Sequence, residues 1–441
     1  MPKPLLVLYS PINVFSGYSS RGRELAHSLV KLKEPEFDVR FIACNWGACP
    51  HGALDASNPQ DKILLDRILP NGQLPYHPSV WIMHTVPSEM QRVGSVYNIL
   101  VTAGMESTIC LPEWVEGCNR ADLVIVSSEH AKTVFEQSTF QKKDDRTGQP
   151  LELTKLSKPI KVLFEGLNTD VYKKTTGTFN LDQVEESFAF LLVGHWLQGE
   201  MNADRKGIST AIKIFLEAFK NKKNAPALIM KVSGGAPSII DREDLLDKID
   251  AIKRTVKATT LPSIYLIHGE LTDTEMNDLY AHPKIKSMIL FTKGEGFGRP
   301  LLEFSVHAKP IITSKWSGHL DFLTPEFNLL IPGTLEKIHP SAIVKNIFHP
   351  DSQWFSVNAS DAAHAMRDVF EHYDKYLEPA KRQAYRSRTE FSLDKMTQSL
   401  KDILDASLPK MSVPISIKLP VLKKLEIPEE LKLPSHEKAT P

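Results

Sequence analysis

The sequence predicts an α/β protein made of two Rossmann-like domains that face each other across a cleft. Three observations lead there. The chain has 441 residues, more than one hydrophobic core comfortably organises. Short continuous apolar runs alternate with stretches of helical spacing, the pattern of parallel strands covered on both faces. A polar stretch near residue 150 interrupts this alternation, which then restarts.

The first run, "PLLVLYS", is followed by the turn-like "PINVFSG" and by "SSRGRELAHSLVKL", whose spacing is helical. "FDVRFIACN", "SVWIMHT", "YNILVTAG" and "ADLVIVSS" supply four more strands of the first domain. "QKKDDRTGQPLELTKLSKP" reads as an exposed insertion. Strands resume with "FAFLLVGHW", "ALIMKVSGG", "SIYLIHGEL", "KSMILFT" and "KPIITSKW". The expected division is residues 1–179 for the first domain, completed by a helix at about 378–408, and 180–377 for the second. The Pro- and Lys-rich segment 409–441 is expected to be an extended tail.

Composition excludes several classes. The 53 basic residues are balanced by 53 acidic ones, so no general attraction to nucleic acid or to a membrane surface follows. Cys44, Cys49, Cys110 and Cys118 form no close metal-binding pair and no disulfide framework, and are expected to be reduced thiols. The start "MPKPLLVLYSPIN" has too short an apolar run for a signal peptide, and no stretch is long enough to cross a bilayer. A cytoplasmic protein without a transmembrane anchor is expected.

The segment richest in chemistry is "TKGEGFGRPLLEFSVHAKPII", Thr292 to Ile312. In an open parallel sheet, ligands bind beyond the carboxyl ends of the strands, and "MILFT" ends where "KGEGFGRP" begins. Pro300 suits the first turn of a helix, so the amides from Gly296 to Arg299 should point outward with the positive end of the helix dipole. Glu303 is expected in the first helical turn, where a carboxylate can also accept hydrogen bonds from vicinal hydroxyls. An ordinary turn followed by a capping carboxylate is the other reading.

Glu295, Gly296, Phe297, Gly298, Pro300 and Glu303 match the E-G-F-G-x-P-x-x-E signature, and the chain resembles the retaining glycosyltransferases of the GT-B type, glycosyltransferase family 4. "LLVGHWLQGEMNADRKGISTAIKIFLEAFK" is similar to that family's strand, basic diphosphate site and helix. "ADLVIVSSEHAKTVF" and "VLFEGLNTDVYKK" resemble its "AD-x-V-I-x-S" strand and interdomain connection. The resemblance implies that Glu303 holds the nucleotide ribose and Glu295 faces the donor sugar. It implies that Arg205 or Lys206 neutralises the diphosphate, that the amides near Gly318 and His319 contact donor phosphate or sugar, and that Gly17 belongs to a loop closing over the donor. Phe297 comes with the signature between its two glycines.

Three departures stand out. Gly194 and His195 occupy the place where many members have Gly-Arg, the loop before "DRKG" is longer, and Asp321 replaces a common glutamate. His84 ends a strand of the first domain, where the family often places a histidine near the reacting sugar; a buried or capping histidine is the alternative. Glu89 and Glu106 are candidates for acting on the acceptor. His268 reads as structural. Trp81 is expected to pack in its strand, and Trp46 and Trp316 stand at strand ends where packing or ring stacking would serve.

The function implied is transfer of a sugar from a nucleotide-sugar donor to an acceptor with retention of configuration. Neither a cofactor nor a metal is expected, because no Asp-x-Asp follows a strand and the basic pair can balance the leaving diphosphate. A saccharide, a lipid-linked sugar, a protein and a modified DNA base all remain open as acceptors. A modified-cytosine glycosyltransferase, a nucleotide-sugar epimerase or hydrolase, and a non-catalytic sugar-binding protein are the competing readings on this fold.

Overall fold

A computed structural model describes residues 3–47, 49–94, 97–144, 146–235 and 238–410. Most of the expected tail, 411–441, lies outside the described residues.

The first half contains β1 (Leu5–Ser10), α1 (Gly17–Lys33), β2 (Asp38–Ala43), α2 (Pro59–Leu65), β3 (Val80–His84), β4 (Tyr97–Val101), α3 (Pro112–Asn119), β5 (Leu123–Val126) and α4 (Glu129–Gln137). The hairpin β6 (Phe140–Lys143) and β7 (Pro150–Thr154) follows, then β8 (Ile160–Val162). One six-stranded sheet runs in the order β2-β1-β3-β4-β5-β8, and every pairing in it is parallel. The insertion, expected to be exposed, is an antiparallel pair, Phe140 opposite Thr154, with exposed side chains along most of its length.

The second half contains β9 (Ala189–His195), α5 (Ile208–Phe219), β10 (Ala227–Ser233), α6 (Ile239–Arg254), β11 (Ile264–Ile267), α7 (Asp273–Ala281), β12 (Ile285–Leu290), α8 (Arg299–Ser305), β13 (Ile311–Ser314) and β14 (Leu329–Ile331). Its sheet, β11-β10-β9-β12-β13-β14, is parallel throughout. An antiparallel ribbon of β15 (Gly333–Lys337) and β16 (Gln353–Val357) follows, then α9 (Ala359–Glu371), α10 (Leu377–Glu390) and α11 (Leu393–Ser407).

The apolar runs are continuous because both faces of each sheet are covered. Leu5 and Val7 pack into one core and Leu6 and Leu8 into another, since successive side chains on a strand point to opposite faces. Leu191 and Leu192 divide the second sheet in the same way. The molecule is therefore an α/β protein of two Rossmann-like domains.

Strand order reverses between β1 and β3 in the first sheet and between β9 and β12 in the second. Crevices open at such reversals, beyond the carboxyl ends of the strands. The final helix returns to the first half. Met396, Leu400 and Leu404 of α11 join the core around Leu6 and Leu8, and Ser28 meets Thr397 at 2.8 Å. The outgoing and returning crossings touch, with Leu167 donating to the Phe391 carbonyl and Leu393 donating to the Leu167 carbonyl, both at 2.8 Å.

Candidate active site

Two loops flank the reversal point of the second sheet. One follows β9 and carries Arg205 and Lys206; the other follows β12 and carries Glu295. Gly207 has φ +63°, and a Cβ there would lie 2.0 Å from the Phe291 carbonyl oxygen, so glycine lets the two loops meet backbone to backbone. The Lys206 ammonium then reaches both oxygens of Glu295, at 2.6 and 2.8 Å. Burial opposes ionisation of Glu295, but Lys206 and Arg205 outweigh it and hold the carboxyl below its usual range. Arg205 donates to the Gly294 carbonyl at 2.9 Å and stands 3.6 Å from Glu106 of the first half.

A third loop completes this cluster. Ser317 has φ +82°; its hydroxyl accepts the Glu295 amide at 2.9 Å, and Gly318 donates to the Glu295 carbonyl at 3.0 Å. His319 is fully buried, with Nε2 2.7 Å from the Ser314 carbonyl. Phe297, 2% exposed, belongs to the core, its ring 5.0 Å from that of Phe322.

The helix after the motif begins earlier than a first-turn Glu303 would require. Gly298 is its N-cap in a left-handed conformation, and the first helical residues are Arg299 and Pro300. Glu303 is therefore the fifth residue of α8, in its second turn, and not in the first turn as expected. What holds it is an ion pair. Arg299 Nε lies 2.9 Å from Glu303 Oε1, and the same guanidinium contacts Glu24 of α1 at 2.5 Å and Glu165 at 3.8 Å. Tyr280 donates to the other oxygen of Glu303 at 3.3 Å. Burial pushes the Glu303 carboxyl up to about 7; Arg299 opposes this, while Asp273 and Glu24 add to it. Arg299 was not singled out from the sequence. Its one signal there is a basic residue four positions before an acid on a helix, which is too common to mark a site.

In the first half, Gly17 opens α1 behind the N-cap Ser16, and a side chain at Gly17 would meet nothing within 4 Å. His84 ends β3 at the reversal point, but it does not face an open cleft. It is fully buried, with Nδ1 3.0 Å from the Ser10 hydroxyl. The Tyr18 ring covers it at 4.2 Å, and Trp46 stacks on Tyr18 at 4.1 Å. The residue after the expected glycine therefore fills the space that His84 was expected to look into. Burial, then Arg21, lowers the His84 pKa well below its usual value. Glu89 accepts a hydrogen bond from the Thr85 hydroxyl.

The two halves touch at the motif. Ser127 and Ser128 donate their hydroxyls to the Gly296 carbonyl at 3.1 and 2.6 Å. Asp321 accepts the Glu129 amide at 2.9 Å, which gives the departure from glutamate an interdomain partner at the start of α4. The structure thus gathers Arg205, Lys206, Glu295, Gly296, Gly318 and His319 in one cluster. Glu303 sits in a separate interdomain ion-pair group, and Gly17 and His84 at the first sheet. Trp81 is buried in its strand, Trp316 packs against Phe355 and His130, and His268 pairs with Asp241 at 2.7 Å. Among the described residues no group of three or more His, Cys, Asp or Glu could hold a metal, and no helix is long and apolar enough to cross a membrane.

No family model matches the chain, and no curated protein matches it. Solved structures do. Anabaena HepE in complex with UDP and glucose is 14% identical with a TM-score of 0.57, covering 91% of this chain and 100% of its own. A glycosyltransferase from Rickettsia africae is 14% identical with a TM-score of 0.56, covering 93% and 100%. Sucrose-phosphate synthase from Thermosynechococcus elongatus is 12% identical with a TM-score of 0.56, covering 92% and 99%. At these identities the likeness is one of fold, and that fold is GT-B.

Proposed function

We propose that this chain is a glycosyltransferase that moves a sugar from a nucleotide-sugar donor to an acceptor with retention of configuration, as family 4 enzymes do. The observation that carries this reading is the buried Lys206–Glu295 pair, set on two loops at the reversal point of the second sheet. A ligand entering there meets a fixed cation and a carboxylate side by side, the pairing needed to balance a leaving diphosphate and to orient sugar hydroxyls.

In this reading Arg205 and Lys206 stabilise the negative charge that grows on the diphosphate as its bond to the sugar carbon breaks. Glu295 orients the donor sugar, and Glu303 accepts the ribose hydroxyls once Arg299 yields it. The amides at Gly296, Gly298 and His319 approach the donor phosphates or sugar, Gly318 shapes their loop through its amide bond to the Glu295 carbonyl, and Gly17 approaches from the other half. The acceptor oxygen bonds to the sugar carbon on the face the leaving group vacates, and its proton passes to the departing phosphate oxygen. His84 acts here through Tyr18 and Ser10, as a positioning residue. The protein's own cations serve where another enzyme would use a metal. The free cysteines suit the reducing cytoplasm.

HepE has been crystallised with UDP-glucose, so a UDP-hexose is the first donor to try. The test is nucleotide release from a panel of nucleotide sugars without acceptor, for the natural protein, Glu295→Gln and Glu303→Ala. Slow release from one donor, lost in both variants, is expected. Absence of both release and saturable donor binding would overturn the proposal.

A further inference from the structure

A cavity of about 410 Å³ lies in the second domain, lined by Phe291 and Lys293 at the start of the loop that carries Glu295 and by residues of α5, β15, β16 and α9. Its volume is in the range of small-molecule sites. Ile214, Phe291 and Val357 give it apolar walls, while Thr210, Lys213, Glu217, Lys293 and Glu336 bring polar groups to its edge. Two ammonium groups and two carboxylates cancel, so the site has no preference for an anion.

Lys293 makes this a built site and not merely a gap. It is 5% exposed, and its ammonium makes one hydrogen bond, to the Ser356 hydroxyl at 2.7 Å. It lies 5.6 Å from the Trp354 ring centroid and has no salt bridge among the described residues. An ammonium has three donors, and a buried donor left unmatched is costly. Ser356 in turn donates to Glu336 at 2.7 Å. Ammonium, hydroxyl and carboxylate therefore stand in a row along one wall.

We infer that this cavity binds a neutral saccharide. A vicinal diol can accept from an ammonium through one hydroxyl and donate to a carboxylate through the next, while the C–H face of the ring lies on the apolar wall. A phosphate or a uronic acid would satisfy Lys213 and Lys293 but oppose Glu217 and Glu336. An alkyl ligand would leave the row unmatched. The sugar could be free, acting as an effector, or the distal part of a glycan acceptor.

The site is joined to the donor loop through the backbone. The Lys293 amide donates to the Arg205 carbonyl at 2.8 Å, and its carbonyl accepts from Phe355 at 2.9 Å. Glu295 is two residues further on, about 7 Å along an extended chain. Filling the cavity fixes Lys293 and, through it, the spacing of Arg205 and Glu295. That linkage rests on the transferase reading; the saccharide site itself does not.

The experiment is saturation-transfer NMR on the full chain with glucose, mannose, galactose and maltose, without nucleotide sugar. It compares the natural protein with Lys293→Met and with the double variant Lys213→Met/Glu336→Gln, whose positions lie nearer the surface. Saturable binding of at least one neutral sugar is expected, weakened about tenfold or more in both variants. No saturable binding, binding that both variants retain, or stronger binding of glucuronate or inorganic phosphate would overturn the inference. Saccharide binding by a chain that shows neither nucleotide release nor saturable donor binding in the donor panel would sink the transferase proposal and leave the saccharide site standing. Once a donor is known, consumption of the bound sugar marks it as acceptor, and a changed rate toward a second acceptor marks it as effector.

Discussion

Arg299 and Glu303 stand one helical turn apart with Nε and Oε1 at 2.9 Å, yet the Glu303 carboxyl is pushed up to about 7. The reason is sharing. The Arg299 guanidinium also serves Glu24 and Glu165, so it cannot offset the burial of every carboxylate around it.

This sharing sets a pH dependence. Because Glu303 holds its proton in the folded chain above the ordinary value of 4.5, its contribution to stability is full below that pH and is lost as pH rises through about 7. Each pH unit across that window is worth about 1.4 kcal/mol at most. Thermal unfolding followed across the window should show Glu303→Gln gaining on the natural protein as pH rises. A constant difference would contradict the assignment.

The Lys206–Glu295 pair should behave as a unit. Lys206→Met strands a buried carboxylate and should cost about 3–5 kcal/mol. Adding Glu295→Gln should recover part of that loss, so that the double variant is more stable than Lys206→Met alone. Urea unfolding of all four proteins measures the coupling, and strictly additive losses would show that the two side chains do not interact.

Gly17 and Gly318 separate a glycine needed by a ligand from one needed by the fold. A Cβ at Gly318 would lie 2.2 Å from the Gly296 carbonyl oxygen and 2.8 Å from the Ser128 hydroxyl. Gly318→Ala should therefore cost about 1–3 kcal/mol by pushing its loop off the Gly296 backbone and the Ser128 hydroxyl. At Gly17 a Cβ meets nothing, so Gly17→Ala should change stability by less than about 0.5 kcal/mol. If the Gly17 backbone approaches the donor, the same variant should raise the donor KM. An unchanged KM would remove Gly17 from the donor site.

His84 should stay neutral well below its ordinary value of 6.5. Below that pH the unfolded chain takes up a proton that the folded one refuses, so stability falls as pH drops. His84→Gln should flatten this acid loss. Imidazole NMR near pH 5 checks the cause directly: a protonated His84 ring in the folded chain would refute it.

Much of the architecture was legible because buried parallel strands are written as unbroken apolar runs. "PLLVLYS" and "FAFLLVGHW" could hardly be anything else. The hairpin of Phe140–Lys143 and Pro150–Thr154 was not, because its side chains face water and its strands are held by backbone pairing, which leaves little mark on composition. At the site, the resemblance singled out Glu295 and Lys206 separately, and it is the structure that brings them together as an ion pair on neighbouring loops. Side-chain occlusion was hidden: nothing in "FSGYSS" says that Tyr18 folds over His84, and nothing in "GRP" says that Arg299 reaches α1. Both depend on partners far apart in the chain, and local spacing carries no record of them.

The paired crossings between the halves constrain how the molecule can move. Two strands of chain pass side by side, bonded in both directions at Leu167, and a Cβ on Gly166 would lie 2.7 Å from the Leu393 Cα. Such a seam behaves as an axle. Swinging one half about it preserves both hydrogen bonds, whereas sliding or twisting the halves breaks them together. Further out, the hydroxyls of Ser127 and Ser128 on the Gly296 carbonyl and the paired bonds between Thr108 and Gln353 tie the same two halves together.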